Sequence, residues 1–158
     1  MRSRAFIIMA CIVACWLVLP ATARADEAKD LLDDGVQANI GKHYDRAVEA
    51  FRKSIELNPA VADAHLQLGF ALQHLKHFTE AVQAYRDGIA LNPSHPFVGQ
   101  AWYNMGVSLD QLGEGEDAIA AIKKSIQAYT DHMDYSSVFR AGLFLRDLSE
   151  RYHEPGER

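Results

Sequence analysis

Apolar residues recur every three or four positions along most of this chain, which is the spacing of one face of an α-helix. In residues 28–40 they are Leu31, Leu32, Val36 and Ile40. Two later stretches with this spacing are followed by Asn58-Pro59 and Asn92-Pro93. Each predicted helix should end there, because proline cannot donate a backbone hydrogen bond and restricts the residue before it. The pattern predicts a series of short helices joined by tight turns.

One stretch of the chain occurs again with few changes. Residues 47–59 read AVEAFRKSIELNP, and residues 81–93 read AVQAYRDGIALNP, at an offset of 34. A looser third copy, AIAAIKKSIQAYT, begins at Ala118, at an offset of 37. Similarity at a fixed period of this length indicates a repeat architecture. The predicted repeats, each of two antiparallel helices, span about residues 28–61, 62–95 and 99–132.

Small residues stand at matching places in these repeats. Gly35, Gly69 and Gly106 lie in the first helices, and Ala47, Ala81 and Ala118 lie in the second helices. We expect the paired helices to approach closely at these positions. We also expect Asp45 and Thr79 to cap the second helices of the first two repeats, because a short polar side chain can accept a free amide there.

A further helix is predicted at about residues 136–152. Gly142 aligns with Gly106 at an offset of 36, which places Val138, Ala141 and Leu145 where the third repeat has apolar residues. The segment resembles the first helix of a repeat that has no second helix, so we expect it to cap the stack. Residues 153–158 are predicted to be a disordered tail.

At this level of detail the chain resembles the tetratricopeptide-repeat family. The third copy carries the phrase Ala101-Trp102-Tyr103-Asn104-Met105-Gly106, followed by Leu109 and Ala118; the second has Gly69, Ala81, Tyr85 and Pro93. The resemblance covers residues 28–132. It implies an all-α fold: a right-handed α-solenoid of three helix-turn-helix repeats plus a C-terminal capping helix, in a single domain of residues 28–152.

The N-terminal segment differs in composition from the rest of the chain. Arg2 and Arg4 precede an apolar run, and Ala23-Arg24-Ala25 follows it, which is the layout of a secretory signal peptide over residues 1–25. We expect cleavage after Ala25, a periplasmic or secreted protein, and no membrane insertion after cleavage. One alternative is an uncleaved membrane anchor, but the apolar run is shorter than the roughly 20 apolar residues of a spanning helix. The other alternative is a lipoprotein signal that uses Cys15.

Composition narrows the function further. The only cysteines, Cys11 and Cys15, lie in the predicted signal peptide, so the mature chain would have no disulfide and no thiol nucleophile. Removal of residues 1–25, which contain three arginines, changes the formal net charge from −5 to −8. An acidic chain of this kind argues against nucleic acid as a partner.

Catalytic motifs are missing from the sequence. It has no nucleophile elbow, phosphate loop or dinucleotide fingerprint. His74 and His77 have a spacing that could share a metal, but the sequence arranges no third ligand beside them. We therefore predict no catalytic residues, no cofactor and no metal, and the chain is not expected to be an enzyme.

The predicted function is a non-catalytic protein–protein interaction module or adaptor. In the family that the chain resembles, the first helices line a concave groove, and here that row is mostly apolar. The lysines and arginines with which some members clamp a terminal carboxylate are absent, so we expect an apolar peptide or helix as the ligand. The candidate groove residues are Leu32, Val36, Leu66, Phe70, Gln73, His74, Tyr103, Val107, Asp110, Phe139 and Leu143.

Three alternatives remain at this point. The apolar row could simply pack between neighbouring helices, as apolar stripes at helical spacing usually do. The chain could be a self-associating structural protein that forms a homodimer. A metal-dependent enzyme comes third.

Overall fold

The structure, a computed structural model, describes residues 21–152, with side chains from residue 23. Over this range the chain forms helices joined by turns. The helices are α1 (Ala21–Ile40), α2 (Tyr44–Leu57), α3 (Ala62–His74), α4 (Phe78–Leu91), α5 (Val98–Gln111), α6 (Gly115–Asp131) and α7 (Tyr135–Tyr152). The predicted all-α solenoid is confirmed. Most of the predicted signal peptide, residues 1–20, and the predicted tail, residues 153–158, lie outside the described residues.

The turn inside each repeat has the same backbone geometry although its sequence varies. Lys42, Lys76 and Gly113 have φ values of 60°, 63° and 78°. The amide that follows each of them donates to a carbonyl five residues earlier, for example His77 N to Leu72 O at 2.9 Å. This is the bonding pattern of a Schellman motif, which usually ends in glycine. Two of the three turns therefore form with lysine in a conformation that costs about 1–2 kcal/mol.

The predicted helix caps are wrong. The second helices of the first two repeats begin at Tyr44 and Phe78, so Asp45 and Thr79 already lie inside them. The N-cap residues are His43 and His77, and neither makes a side-chain capping bond. The cause is the tight turn, in which a single N-cap histidine separates the left-handed lysine from the first helical residue.

Close approach at the repeat glycines holds each helix pair together. A Cβ atom built on Gly69 would lie 2.8 Å from the ring of Tyr85, and one on Gly106 would lie 2.6 Å from Ile122. Gly35 faces Phe51 in the same way. These three partners are almost fully buried, so the glycine contact lets a large apolar side chain reach the centre of each repeat.

Helix α7 closes the C-terminal end of the core. Ala141 and Leu148 have no exposed surface. Asp134 caps the helix: its Oδ1 atom accepts from Ser137 N at 3.1 Å and from Ser136 Oγ at 2.8 Å. Hydrogen bonds from Ser137 and Ser136 lower the pKa of Asp134 to about 2.

No helix among the described residues is long and apolar enough to cross a membrane.

Candidate binding surface on the first helices

The four helices α1, α3, α5 and α7 present neighbouring side chains to one another, and we call their shared face the inner surface. Asn39 Nδ2 of α1 lies 3.3 Å from Gln67 O and 3.2 Å from Gln67 Oε1 of α3. Gln73 Nε2 of α3 donates to Asn104 O of α5 at 3.3 Å. On α5, the ring of Tyr103 lies 5.9 Å from Phe144 of α7. Side-chain contacts therefore run across all four helices.

A cleft of about 260 Å³ opens between α3 and α5. Eight residues line it, and none of them is charged: Leu66, Gln67, Phe70, Tyr85, Phe97, Gln100, Ala101 and Asn104. Phe97, in the connection before α5, is 59% exposed. An exposed ring beside an apolar cleft provides a ready contact for an apolar ligand side chain.

Hydrogen bonding orients the amide side chains of the cleft. Tyr129 Oη donates to Gln100 Oε1 at 3.1 Å, and Gln100 Nε2 donates to Asn104 Oδ1 at 2.8 Å. Gln67 accepts from Asn39 through Oε1. The side-chain oxygens of Gln67 and Asn104 are thus occupied, and the Asn104 amide also bonds to the Tyr85 hydroxyl. The amide nitrogen of Gln67 makes no hydrogen bond to another described residue, so the cleft offers this donor to a ligand.

Tyr85 forms the floor of the same cleft. Its hydroxyl donates to Gln73 Oε1 at 3.1 Å. Burial raises the pKa of Tyr85 well above its usual value, and the neighbouring Asn104 amide opposes this only in part. The phenol stays neutral at any physiological pH, so the floor adds no charge to the cleft.

The connection between the second and third repeats is held by a buried histidine. His95 Nε2 lies 2.9 Å from Asp63 Oδ1, and His95 Nδ1 accepts from Phe97 N at 3.2 Å. The ring of His95 also lies 5.5 Å from the ring of Phe97. These contacts fix Phe97 at the edge of the cleft, and they pair the Asp63 carboxylate within the protein.

The predicted groove residues of the first two repeats take different positions. Phe70 lines the cleft, whereas Leu66 lies mostly below it, packed on Gly88. Gln73 is used in hydrogen bonds between helices. His74 stacks on Tyr44 at 4.4 Å with nearly parallel rings.

Leu32 and Val36 of the first repeat are half-buried against the core, as expected if the apolar row simply packs between neighbouring helices.

The remaining predicted residues lie nearer the C-terminal end. Tyr103 contacts Phe144 and lies beneath the Arg140 guanidinium, at 5.4 Å. Asp110 accepts from Arg151 at 2.8 Å and from Tyr152 Oη at 2.9 Å, so its carboxylate attaches α7 to α5.

The last three predicted residues differ in their exposure to solvent. Val107 is half-buried. Phe139 and Leu143 lie on α7 and are 69% and 43% exposed.

Sequence reasoning missed several cleft residues, namely Gln67, Phe97, Gln100 and Asn104. A signal for two of them was present. Gln67 and Asn104 both stand two residues before a repeat glycine, and Arg140 stands two residues before Gly142. These polar residues form a second row along the first helices, beside the apolar row of the candidate groove residues.

The two histidines that could share a metal are engaged separately. His74 belongs to the stack with Tyr44, and His77 Nδ1 lies 3.4 Å from Glu80 Oε1 at the start of α4. Among residues 21–152 no three histidine, cysteine, aspartate or glutamate side chains converge to form a metal site.

Comparisons with known proteins identify the family and agree with the fold. A family profile described as tetratricopeptide repeat matches residues 40–96 and 71–132. PcrH in complex with the chaperone binding region of PopD has a TM-score of 0.74 at 21% identity, covering 81% of this chain and 95% of that one. A search of curated proteins finds no match.

Two further solved structures are similar. The Yersinia enterocolitica type III secretion translocator chaperone SycD, described as an alternative dimer, has a TM-score of 0.71 at 16% identity, covering 82% of this chain and 96% of that one. The first repeat domain of RPAP3 (Spaghetti), bound to an HSP90 peptide, has a TM-score of 0.70 at 21% identity, covering 80% and 94%. At these identities the likeness concerns the fold.

Proposed function

Because this chain belongs to the tetratricopeptide-repeat family, we propose that it is a non-catalytic adaptor that holds a segment of a partner protein on its inner surface. Structural neighbours support this class of function. PcrH is seen with a binding region of PopD, and the RPAP3 domain with an HSP90 peptide. The fold provides the surface, and the residues of this chain determine what binds.

The uncharged cleft between α3 and α5 carries the proposal. Phe70 and Phe97 offer apolar contacts, and the amide nitrogen of Gln67 offers a donor to a backbone carbonyl of the ligand. A terminal carboxylate would meet no cation in the cleft, so its desolvation would not be compensated. The ligand is therefore an internal apolar segment, and a free C-terminus contributes nothing to its binding.

A selection from a displayed peptide library tests this specificity. We expect enriched peptides to carry two or more apolar residues and to bind equally well with a free or an amidated C-terminus. Phe70→Asp should reduce capture at least about tenfold, since it removes an apolar contact and places a charge that an apolar ligand would have to desolvate. Leu91→Asp, on the exposed side of α4, is the matched control and should bind normally.

Circular dichroism shows whether both variants are folded. Enriched peptides that lose binding on amidation would contradict the proposed chemistry. Unchanged capture by a folded Phe70→Asp variant would place the binding surface elsewhere.

We further propose that the mature chain acts in the periplasm or outside the cell. The sequence of residues 1–25 supports this, and the described part of α1 is compatible with cleavage there, because the residues around Ala25 are exposed and close packing begins at Ala28. N-terminal sequencing of exported protein should begin at Asp26. A start at Met1 would refute cleavage.

A second function, self-association, is favoured by the outward face of α7, where large apolar side chains are exposed.

A further inference from the structure

Helix α7 has a row of large side chains that face away from the core. Tyr135 and Phe139 are each 69% exposed, and Leu143 is 43% exposed. Their spacing of four residues places them on one stripe of the helix. Arg146 and Glu150 continue the stripe, with side chains that are both 72% exposed. A contiguous apolar stripe that ends in charged residues is typical of an interaction surface.

Gly142 forms a notch beside this stripe. A Cβ atom built on Gly142 would meet no atom of residues 21–152 within 4 Å, whereas one on the equivalent Gly106 would meet Ile122. The notch is therefore open, and it has room for a side chain from a neighbouring helix.

We propose that α7 pairs with α7 of a second copy of this chain in an antiparallel arrangement around a two-fold axis. An axis between Gly142 and Leu143 places Leu143 of each copy over the partner's Gly142. On either side of this central pair, Phe139 lies opposite the partner's Arg146. One helical turn further out, Tyr135 lies opposite the partner's Glu150.

Each of these pairs is chemically complementary. A leucine fills a notch, a guanidinium meets an aromatic ring, and a phenol hydroxyl can donate to a carboxylate. A parallel pair would instead oppose Arg146 to the partner's Arg146 and Glu150 to the partner's Glu150, which repel. The stripe is thus complementary to itself only when one helix is reversed, and a two-fold axis perpendicular to the helices gives this arrangement.

A contact between two single helices is smaller than a standard protein interface, so the dimer should be weak and concentration-dependent. Sedimentation velocity of the purified protein should show a monomer–dimer equilibrium. Gly142→Leu should weaken it at least about tenfold, because the added side chain fills the notch. Since no described residue lies within 4 Å of a Cβ atom built at that position, the variant should remain folded and should still capture peptides in its cleft.

Leu91→Asp is again the control: it removes an exposed apolar residue elsewhere, and dimerisation should not change. A wild-type chain that stays monomeric at millimolar concentration would overturn the proposal. So would a folded Gly142→Leu variant that dimerises as strongly as wild type.

Cysteine crosslinking tests the orientation. The chain has only Cys11 and Cys15, so substitutions can be made in a Cys11→Ala, Cys15→Ala background. Leu143→Cys lies near the axis and should form a disulfide-linked dimer. Tyr135→Cys alone should not, but a mixture of Tyr135→Cys and Glu150→Cys protein should crosslink. Self-crosslinking of Tyr135→Cys would show a parallel pair and overturn the arrangement.

Discussion

Glycine at one repeat position occurs in two different environments. Gly69 lies against the buried ring of Tyr85, whereas Gly142 faces open space. In the first environment the missing side chain makes room for packing, while in the second, within the monomer, it lowers helix propensity and makes room for no described neighbour. The same residue at equivalent positions should therefore respond in opposite ways to one substitution.

Gly69→Ala should destabilise the protein by about 1–3 kcal/mol, because the new methyl group would overlap Tyr85. Gly142→Ala should stabilise it by about 0.5–1 kcal/mol. Urea denaturation followed by circular dichroism, at a concentration where the protein is monomeric, measures both changes. Two shifts of the same sign would mean that the packing at one of these glycines differs from the structure.

Some residue roles could not be predicted from the sequence. The repeat glycines and the apolar row follow from local periodicity, and so does the helical fold. The Asp63–His95 pair joins residues that only the packed solenoid brings together. The direction of the Gln67 and Asn104 amides likewise depends on neighbours in other helices. Polar networks of this kind leave no periodic signal.

At the scale of helices, the ends are set more by turns than by capping side chains. Sequence rules placed caps at Asp45 and Thr79, but the left-handed turns at Lys42 and Lys76 start the next helix earlier. The turn before α7 has the same form, with Met133 at φ 56°. There, in contrast, Asp134 supplies a true side-chain cap.

The Asp134 cap should make the stability of α7 depend on pH. The pKa of Asp134 is lowered from about 3.8 to about 2 by bonds from Ser137 and Ser136. The carboxylate therefore stabilises the folded state fully above pH 4, and this contribution is lost as the pH falls towards 2. The melting temperature of Asp134→Ala should be lower than that of wild type at pH 6, and the difference should shrink between pH 4 and pH 2. If the difference in melting temperature stays constant down to pH 2, the Asp134 carboxylate is not the group that caps α7.

For the whole molecule, α7 has two separate faces. The face that packs against the core carries Leu148, which is fully buried, and Arg151, which bonds to Asp110. Its outer face carries the exposed stripe. A helical repeat array is stabilised by contacts between neighbouring units, so its last unit must be covered by a helix of this kind. The cap that completes the core thus also presents the surface proposed for dimerisation.

Truncation before Ser136 should therefore do more than abolish dimerisation. It removes Phe144 from Tyr103, Arg151 from Asp110 and the fully buried Leu148. Each large apolar side chain is worth about 1.5–3 kcal/mol when buried, and a domain of this size has only about 5–15 kcal/mol of stability. We expect the melting temperature to fall by at least about 10 °C, with a broader transition and increased binding of a hydrophobic dye. A truncation after Tyr152 is the control and should melt like the full chain. If the protein that ends before Ser136 melts as sharply and at the same temperature, α7 does not cap the solenoid, and its inner contacts contribute little to the fold.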